Sequence, residues 1–289
     1  MPNFITRFAP SPTGLLHLGH AFSALTAAEA AKKAGGKFLL RIEDIDRTRC
    51  RSDYEQAIYD DLAWLGLDWE TPVRRQSDHF ADYAAVLQRM IDEGLVYRCF
   101  KTRAEILDEI ARAPHLSPEG AEGPAYIGAP LAAHEERSLL AEGAPFAWRL
   151  SIAAARARLG ATLDGLTLTE EAPDPGHKRC TINVRADLFG DVILARKDSG
   201  TSYHLASTHD DALQGVTHVI RGDDLRPAAH VHRLLQALLD WPAALYRHHP
   251  LLTDETGKRL AKRDKAATLK SLREAGETPE SVRARLGFA

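Results

Sequence analysis

Residues 7 to 20 read Arg7-Phe-Ala-Pro-Ser-Pro-Thr-Gly-Leu-Leu-His-Leu-Gly-His20. An apolar, β-rich run from Phe4 to Phe8 meets two prolines, turns at Gly14 and passes into an Ala-rich amphipathic segment. This order reads as strand, tight loop and helix N-terminus. Unpaired backbone N–H groups and the positive end of the helix dipole are expected where His17 and His20 project, which makes the turn an anion site. Two histidines three apart in the first turn share a face and can both donate to phosphate oxygens. Gly19 leaves the backbone open to close approach by a ligand. Four letters alone would fit a pair of surface histidines on a loop; the whole string from Arg7 to His20 favours the anion site.

The pattern continues outward from this turn. A strand over 3–9 is followed by a helix from His17 to Ala34, closed by Gly35-Gly36, and by a second strand from Lys37 to Ile42. Ser52 and Glu55 form a capping box for a helix running to Trp64, and another helix spans about Asp78 to Glu93. Such alternation predicts an α/β fold with a parallel sheet, and ligands at the carboxyl ends of its strands. From Val96 the pattern changes: a short strand at Tyr97–Phe100, a helix capped by Thr102 with Glu105, then a Pro/Gly/Ala-rich stretch from 114 to 130. Two strands are expected within 145–180, around an Ala/Arg segment carrying Arg149, Arg156 and Arg158. The α/β pattern resumes at Asp191–Arg196, turns at Asp198-Ser-Gly200 and runs on to Asp211. A strand at Val216–Ile220 and a helix at Pro227–Leu239 follow. The expected organisation is a split catalytic domain (1–95 and 186–262), an α+β insertion (96–185) and a short tail (263–289) with one or two short helices.

With 289 residues the chain can bury a substantial core. A hydrophobic content of 44% and a charged content of 27% are ordinary for a globular protein. The formal net charge of -3 gives no general sign of nucleic-acid binding, so any RNA contact has to come from local basic patches. No charged leader with an apolar core opens the chain and no run approaches membrane-spanning length, so a cytoplasmic protein with no membrane partner is expected. Cys50, Cys99 and Cys180 are too widely spaced for a disulfide framework or a metal-ligand pair.

The Arg7–His20 string resembles the nucleotide-binding signature of class I aminoacyl-tRNA synthetases in its glutamyl form. The resemblance continues through Arg41-Ile-Glu-Asp-Ile-Asp46, Trp64-Leu-Gly-Leu-Asp-Trp69, Gln76-Ser77, Thr217-His-Val-Ile-Arg-Gly-Asp-Asp224 and Arg259-Leu-Ala-Lys-Arg263. It implies a Rossmann-like nucleotide-binding sheet with an acceptor-binding insertion. It also implies ATP, with magnesium, and L-glutamate as substrates, joined as an acyl-adenylate by positioning and charge neutralisation without a covalent enzyme nucleophile. On the family pattern His17, Gly19, His20 and Lys262 bind ATP, with the two histidines on the phosphates and Lys262 neutralising the departing pyrophosphate. Glutamate would be held by Arg7 and the Tyr203 hydroxyl at its side-chain carboxylate, by Glu43 at its ammonium, by Arg221 at its α-carboxylate, and by Ala9 and Ser11. Bidentate Arg geometry suits such a carboxylate better than lysine would. Taken singly, Glu43 could instead pair with Arg41 or Arg47, and Arg221 with Asp223 or Asp224. The insert's arginines, with Lys178 and Arg179, would suit phosphate contacts; a solvated charged face explains any one of them nearly as well.

Three departures from the pattern are visible. Arg259 and Ala261 stand where the family has lysine and serine, which leaves Lys262 in place. Ser207 stands where glutamyl enzymes carry asparagine, predicting a looser or wetter pocket. Tyr97-Arg-Cys-Phe-Lys101 lacks the insert's Cys-x-Cys pair, leaving Cys99 with His115 at best, so no structural zinc and no other metal site is expected. Because 27 residues follow Lys262, no anticodon-reading domain is expected. That feature, with Gln214-Gly-Val-Thr217, resembles the truncated branch of the family, which activates glutamate without tRNA and esterifies it to queuosine at the wobble position of tRNA(Asp). A monomer that takes the queuosine-bearing anticodon stem-loop is then expected. The alternatives are a minimal glutamyl-tRNA synthetase charging the 3' end, or a synthetase-derived RNA-binding module.

Overall fold

The structure is a computed structural model that describes residues 4–112, 119–120, 123–172, 178–196, 198–252 and 267–288. Strand β1 (Ile5–Phe8), helix α1 (Leu18–Lys33) and strand β2 (Lys37–Ile42) open the chain, and the two strands pair in parallel with Ile5 opposite Lys37 and Phe8 opposite Leu40. Helix α1 buries Ala21, Ala24, Leu25, Ala27 and Ala31, a face of mostly small residues that lets the helix lie close to the strands beneath it. At Gly36 an added Cβ would stand 2.1 Å from the Phe4 carbonyl oxygen, which accepts from the Lys37 N–H at 2.8 Å. The residue just before β2, where the chain passes closest to β1, therefore has to be glycine.

Helix α2 (Ser52–Trp64) and strand β3 (Glu70–Arg75) complete a parallel three-stranded sheet in the order β1-β2-β3. The expected capping box of α2 is absent: Arg51 is the N-cap, with no side-chain capping bond, and Ser52 lies inside the first turn. Glu55 is drawn off by other partners, the Tyr59 hydroxyl and the Arg75 Nε, each at 2.9 Å. The next helical stretch divides into a 3₁₀ turn at Gln76–Asp78 and helix α3 (Phe80–Asp92).

Strand β4 (Val96–Cys99) leads into helix α4 (Arg103–Arg112), where the expected Thr102/Glu105 box is present. The Thr102 N–H donates to Glu105 at 2.6 Å and the Glu105 N–H donates to the Thr102 hydroxyl at 3.3 Å. A two-residue ladder, β5 (Glu119–Gly120) with β6 (Gly123–Pro124), precedes helix α5 (Ala133–Ala141) and strand β7 (Ala147–Leu150). The Ala/Arg segment is helix α6 (Ile152–Leu159), extended by the short α7 (Ala161–Asp164). Then come β8 (Thr167–Glu171), β9 (Arg179–Asn183), β10 (Ile193–Arg196), α8 (Tyr203–Leu213), β11 (His218–Gly222), α9 (Ala228–Leu238) and β12 (Leu245–His249).

Sheet membership crosses the limits expected for the insertion. Strands β4 and β7 pair antiparallel with each other and β7 with β10, whereas β8 pairs in parallel with β12, which itself pairs in parallel with β11. Strand β11 lies beside β1: the Thr217 N–H donates to the Ile5 carbonyl and the Ile5 N–H to the Thr217 hydroxyl, both at 2.9 Å. The carboxyl ends of β1, β2 and β11 are thus brought together, and Arg7, Arg41 and Arg221 sit at those ends.

Two short helices, α10 (Leu269–Glu274) and α11 (Pro279–Arg285), follow the last strand as expected. Leu269 and Val282 are fully buried in the core formed by α1, β2 and α2. The Leu269 N–H donates to the Leu16 carbonyl at 2.8 Å, and Thr268 forms a β-bridge with His17. The stretch after residue 266 thereby buttresses the loop that carries the histidines. Leu269→Ala should lower unfolding stability by about 2–5 kcal/mol, the usual range for emptying a fully buried leucine site. Urea unfolding checks this, and an unchanged midpoint would show that α10 is not docked there.

Candidate active site

Helix α1 is capped by its own histidines. His17 is the N-cap; its Nδ1 accepts from the Gly19 N–H at 3.1 Å, and the His20 Nδ1 accepts from the His17 N–H at 3.2 Å. The backbone donors expected to be unpaired for an anion are therefore partly taken, which corrects that expectation. A neutral imidazole accepting at Nδ1 carries its proton on Nε2, so the cap fixes the tautomer that can donate to a phosphate. The rings lie 3.9 Å apart. A Cβ at position 19 would meet the His17 ring at 2.9 Å, so Gly19 makes room for that ring and not only for a ligand.

One cavity of about 290 Å³ is lined by Arg7, Ala9, Ser11, His17, Gly19, His20, Glu43, Tyr203 and Arg221. These are all the expected site residues except Lys262, which lies, with Arg259 and Ala261, outside the described residues. Leu251 and Leu252 also line the cavity, and Thr268 is bridged to His17, so the chain on both sides of that segment is at the site.

Behind the cavity a buried ion network sets the geometry. Arg41 is 0% exposed; its Nη1 donates to Asp211 at 2.7 Å and to Gln214 at 3.1 Å, and its Nη2 donates to Glu43 at 3.0 Å and to the Ser207 hydroxyl at 3.2 Å. Asp211 in turn accepts from Arg7 Nε at 2.9 Å and Nη2 at 3.3 Å. Its neighbour Asp210 accepts from Arg74 at 2.8 Å, Gln76 at 3.0 Å and the Tyr83 hydroxyl at 2.8 Å. Burial would raise both aspartates, but Arg7 and Arg41 at Asp211, and His209, Arg41 and Arg74 at Asp210, hold them below the usual carboxylate range. Glu43 goes the other way: burial raises its carboxyl against the pull of Arg41 and Arg7, so an arriving ammonium would supply charge that the site lacks. Ser207 is not a pocket residue. It is buried behind Arg41, which donates to its hydroxyl.

Arg221 is held differently. Its Nε donates to His248 Nε2 at 3.3 Å, and its Nη1 donates to the Tyr203 hydroxyl at 3.2 Å and lies 3.5 Å from His232 Nδ1. Its Nη2 is buried with no hydrogen-bond partner among the described residues. The Tyr203 hydroxyl, expected beside Arg7 at the substrate's side-chain carboxylate, accepts from Arg221. Among the described residues neither Asp223 nor Asp224 forms an ion pair with Arg221; Asp223 accepts from Arg226 at 2.6 Å. The alternative pairing of Glu43 with Arg41 is present, whereas sequence reasoning missed Asp211, His232 and His248. Their signal was the presence of charged or titratable residues inside strands and helices that must be buried.

A second cavity of about 630 Å³ shares Ser11, Glu43 and Tyr203 with the first and carries Arg47, Arg49, Arg149 and Arg196. Of the insert's arginines, Arg149 reaches this cavity. Arg156, Arg158 and Arg179 face Asp164 (3.2 Å), Glu93 (3.9 Å) and Glu171 (3.0 Å), and Lys178 is exposed. Among the described residues no group of three or more His, Cys, Asp or Glu could hold a metal ion, Cys99 is buried, and no helix is long and apolar enough to cross a membrane. His115 lies outside the described residues.

Residues 3–288 match the family described as tRNA synthetases class I (E and Q), catalytic domain. The chain belongs to that family. It is 47% identical over 287 residues to the glutamyl-Q tRNA(Asp) synthetase of Rhodobacter capsulatus, covering 98% of this chain and 100% of that one. It is 39% identical to the protein of the same name from Symbiobacterium thermophilum, covering 98% and 85%. The crystal structure of the glutamate–tRNA synthetase from Elizabethkingia anophelis superposes with a TM-score of 0.77 at 27% identity, over 98% of this chain and 61% of that one. The chain thus spans about three-fifths of that class I enzyme, and falls within the glutamyl-Q tRNA(Asp) synthetase group of the family.

Burial, with Arg221 next in weight, holds the His248 imidazole down to about 2 and the His204 imidazole to about 4. Burial also lowers His218, His230, His232 and His249. For groups depressed in the folded state, the unfolded chain takes up protons first as pH falls below about 6.5, so their stability contribution is present above that pH and is lost on acidification. Asp61, raised by burial to about 6, and Glu43 and Glu170, also raised by burial, act in the opposite sense. Six histidines against three acids predict a lower Tm at pH 5 than at pH 7.5 in the same buffer ions. A flat or rising Tm on acidification would refute the neutral burial of the histidines.

Proposed function

We propose that this protein activates L-glutamate with ATP, in the absence of tRNA, and transfers the glutamyl group to queuosine at the wobble position of tRNA(Asp). The observation that carries the proposal is the union, in one cavity, of the helix-capping histidines, the carboxylate of Glu43 and the two arginines Arg7 and Arg221, one of which has a buried, unpartnered Nη2. An amino acid with an acidic side chain needs two cationic anchors and one anionic anchor, and the cavity supplies them. In the first step a glutamate α-carboxylate oxygen bonds to the α-phosphorus of ATP as the α–β bridging P–O bond breaks and pyrophosphate leaves. His17 and His20 would donate from Nε2 to the phosphates. Arg221 would hold the α-carboxylate and Glu43 the ammonium, with Ala9 and Ser11 along the substrate. Asp211 takes the Nε/Nη2 side of Arg7, so Arg7 would meet the substrate's side-chain carboxylate with its Nη1/Nη2 end, joined by the Tyr203 hydroxyl once it turns from Arg221. Magnesium would accompany ATP as part of the substrate.

Lys262 would neutralise the leaving pyrophosphate. It stands six residues before Thr268, a span of at most about 20 Å of chain, and Thr268 is paired with His17. Lys262→Ala should slow glutamate-dependent ATP–pyrophosphate exchange by about a hundredfold with little change in KM for glutamate, because the charge is needed chiefly as pyrophosphate departs. A raised KM with unchanged kcat would contradict this role.

In the second step a hydroxyl of the queuosine cyclopentenediol attacks the glutamyl carbonyl, an ester forms and AMP leaves. The second cavity, open to the first at Ser11, Glu43 and Tyr203 and carrying four arginines, would admit the RNA end that brings this diol. Unpaired bases can be splayed out for recognition while arginines follow the backbone phosphates. The proposal is supported by similarity along the whole length of the Rhodobacter capsulatus protein. A short anticodon stem-loop carrying queuosine should therefore be glutamylated and an acceptor minihelix ending in CCA should not. The same stem-loop with guanosine in place of queuosine serves as the control. Charging of the minihelix, or indifference to queuosine, would replace this reading with a minimal glutamyl-tRNA synthetase.

A further inference from the structure

Resting on the glutamate-activating reading above, we infer that His248 is a positioning residue that holds Arg221 through a neutral acceptor, so that the guanidinium meets the substrate carboxylate with its positive charge uncompensated. The two arginines of the cavity are wired in opposite ways. Arg7 is bound side-on by a carboxylate, Asp211 at 2.9 Å, and much of its charge is already balanced. Around Arg221 the partners are the imidazoles of His248 and His232, the Tyr203 hydroxyl and the face of Tyr246, whose centroid lies 5.4 Å from the guanidinium carbon.

The acids that could neutralise Arg221 are kept one step away. Glu170, buried on β8, accepts from His248 Nδ1 at 3.0 Å and is also gripped by Arg226, which takes Asp223 at 2.6 Å as well. Glu170 thus stands on the far side of the imidazole ring. Since a guanidinium can only donate, the His248 Nε2 that faces it must be unprotonated, and the proton sits on Nδ1, directed at Glu170. The chain Glu170–His248–Arg221 fixes the ring tautomer and the direction of the arginine while inserting a neutral ring between cation and anion. A carboxylate at position 248 would orient Arg221 equally well but would occupy it, as Asp211 occupies Arg7. The cost of burying a cation among neutral partners is then relieved when the substrate carboxylate arrives at Nη2.

The test is glutamate-dependent ATP–pyrophosphate exchange by the whole protein and its His248→Leu, His248→Gln and His248→Glu variants. Thermal melting verifies that each variant is folded. His248→Leu removes the acceptor and should raise KM for glutamate about tenfold, the scale of one hydrogen bond to a charged group, with KM for ATP unchanged. His248→Gln offers an amide oxygen to Arg221 and should recover most of that loss. His248→Glu keeps an acceptor but neutralises Arg221, and should raise KM at least as much as leucine does. It should also narrow the preference for glutamate over the glutamic acid α-amide as a competing ligand, leaving discrimination against glutamine at the Arg7 end in place. A glutamate variant that binds like the native protein, or a glutamine variant as impaired as leucine, overturns the inference. Should the leucine variant fail to fold, the comparison of glutamine with glutamate at this position still decides. Native protein that shows no exchange with glutamate would sink the activation reading itself, a result distinct from active native protein with unaffected variants.

Discussion

Everything at the catalytic end of this molecule depends on one buried cation. Arg41 has no exposed surface, so its desolvation has to be offset by close anions, and the structure supplies Asp211 and Glu43 within 3.0 Å. Removing either side of such a cluster usually costs about 3–5 kcal/mol, because a charge is left buried and alone. The requirement joins β2 to helix α8, and through Asp211 it joins both to Arg7 on β1. Asp210 extends the same network to Arg74 and to Tyr83 on α3. Glu43 and Arg7 are consequently placed by a charge balance that forms as the chain folds, before any ligand arrives.

Arg221 lies outside this balance, and the contrast organises the cavity. On one wall the cations and anions are matched residue for residue; on the other a single arginine rests among imidazoles and tyrosines. A ligand with one carboxylate and one ammonium could satisfy Arg221 and Glu43, and a second carboxylate would draw on what Arg7 has left. Position in the sheet makes this possible. Strands β1, β2 and β11 deliver their C-terminal residues to the same edge, and the α1 N-terminus closes the space above them.

Much of this was legible in the sequence where local signals were strong. Proline, glycine and the run of alanines place the turn and helix α1 to within a residue, and Thr102 with Glu105 marks a real cap. The nine expected residues that line the cavity were found together because short motifs carry them. Strand β3, Glu-Thr-Pro-Val-Arg-Arg, was invisible: its composition is that of a loop, and only its place beside β2 and the burial of Arg74 against Asp210 make it a strand. Ser52 and Glu55 had the right spacing for a cap, yet Arg75 and Tyr59, distant or one turn away, hold the glutamate more strongly. The neutral surroundings of Arg221 were equally hidden, since His232 and His248 come from elements whose approach is decided by tertiary packing.

The self-capped helix has a consequence for how this turn can vary. Replacing an N-cap side chain usually costs about 1 kcal/mol, and here the atoms that cap, Nδ1 of His17 and of His20, belong to rings that line the cavity and carry their proton on Nε2. Asparagine at position 17 would serve the helix well and the chemistry badly. On the phosphate-donating role proposed above, folding and chemistry draw on different atoms of the same ring, and imidazole, with one acceptor and one donor on opposite edges, is the side chain that answers both. The glycine at position 19 belongs to that bargain, because any larger residue would push the ring off the backbone it caps.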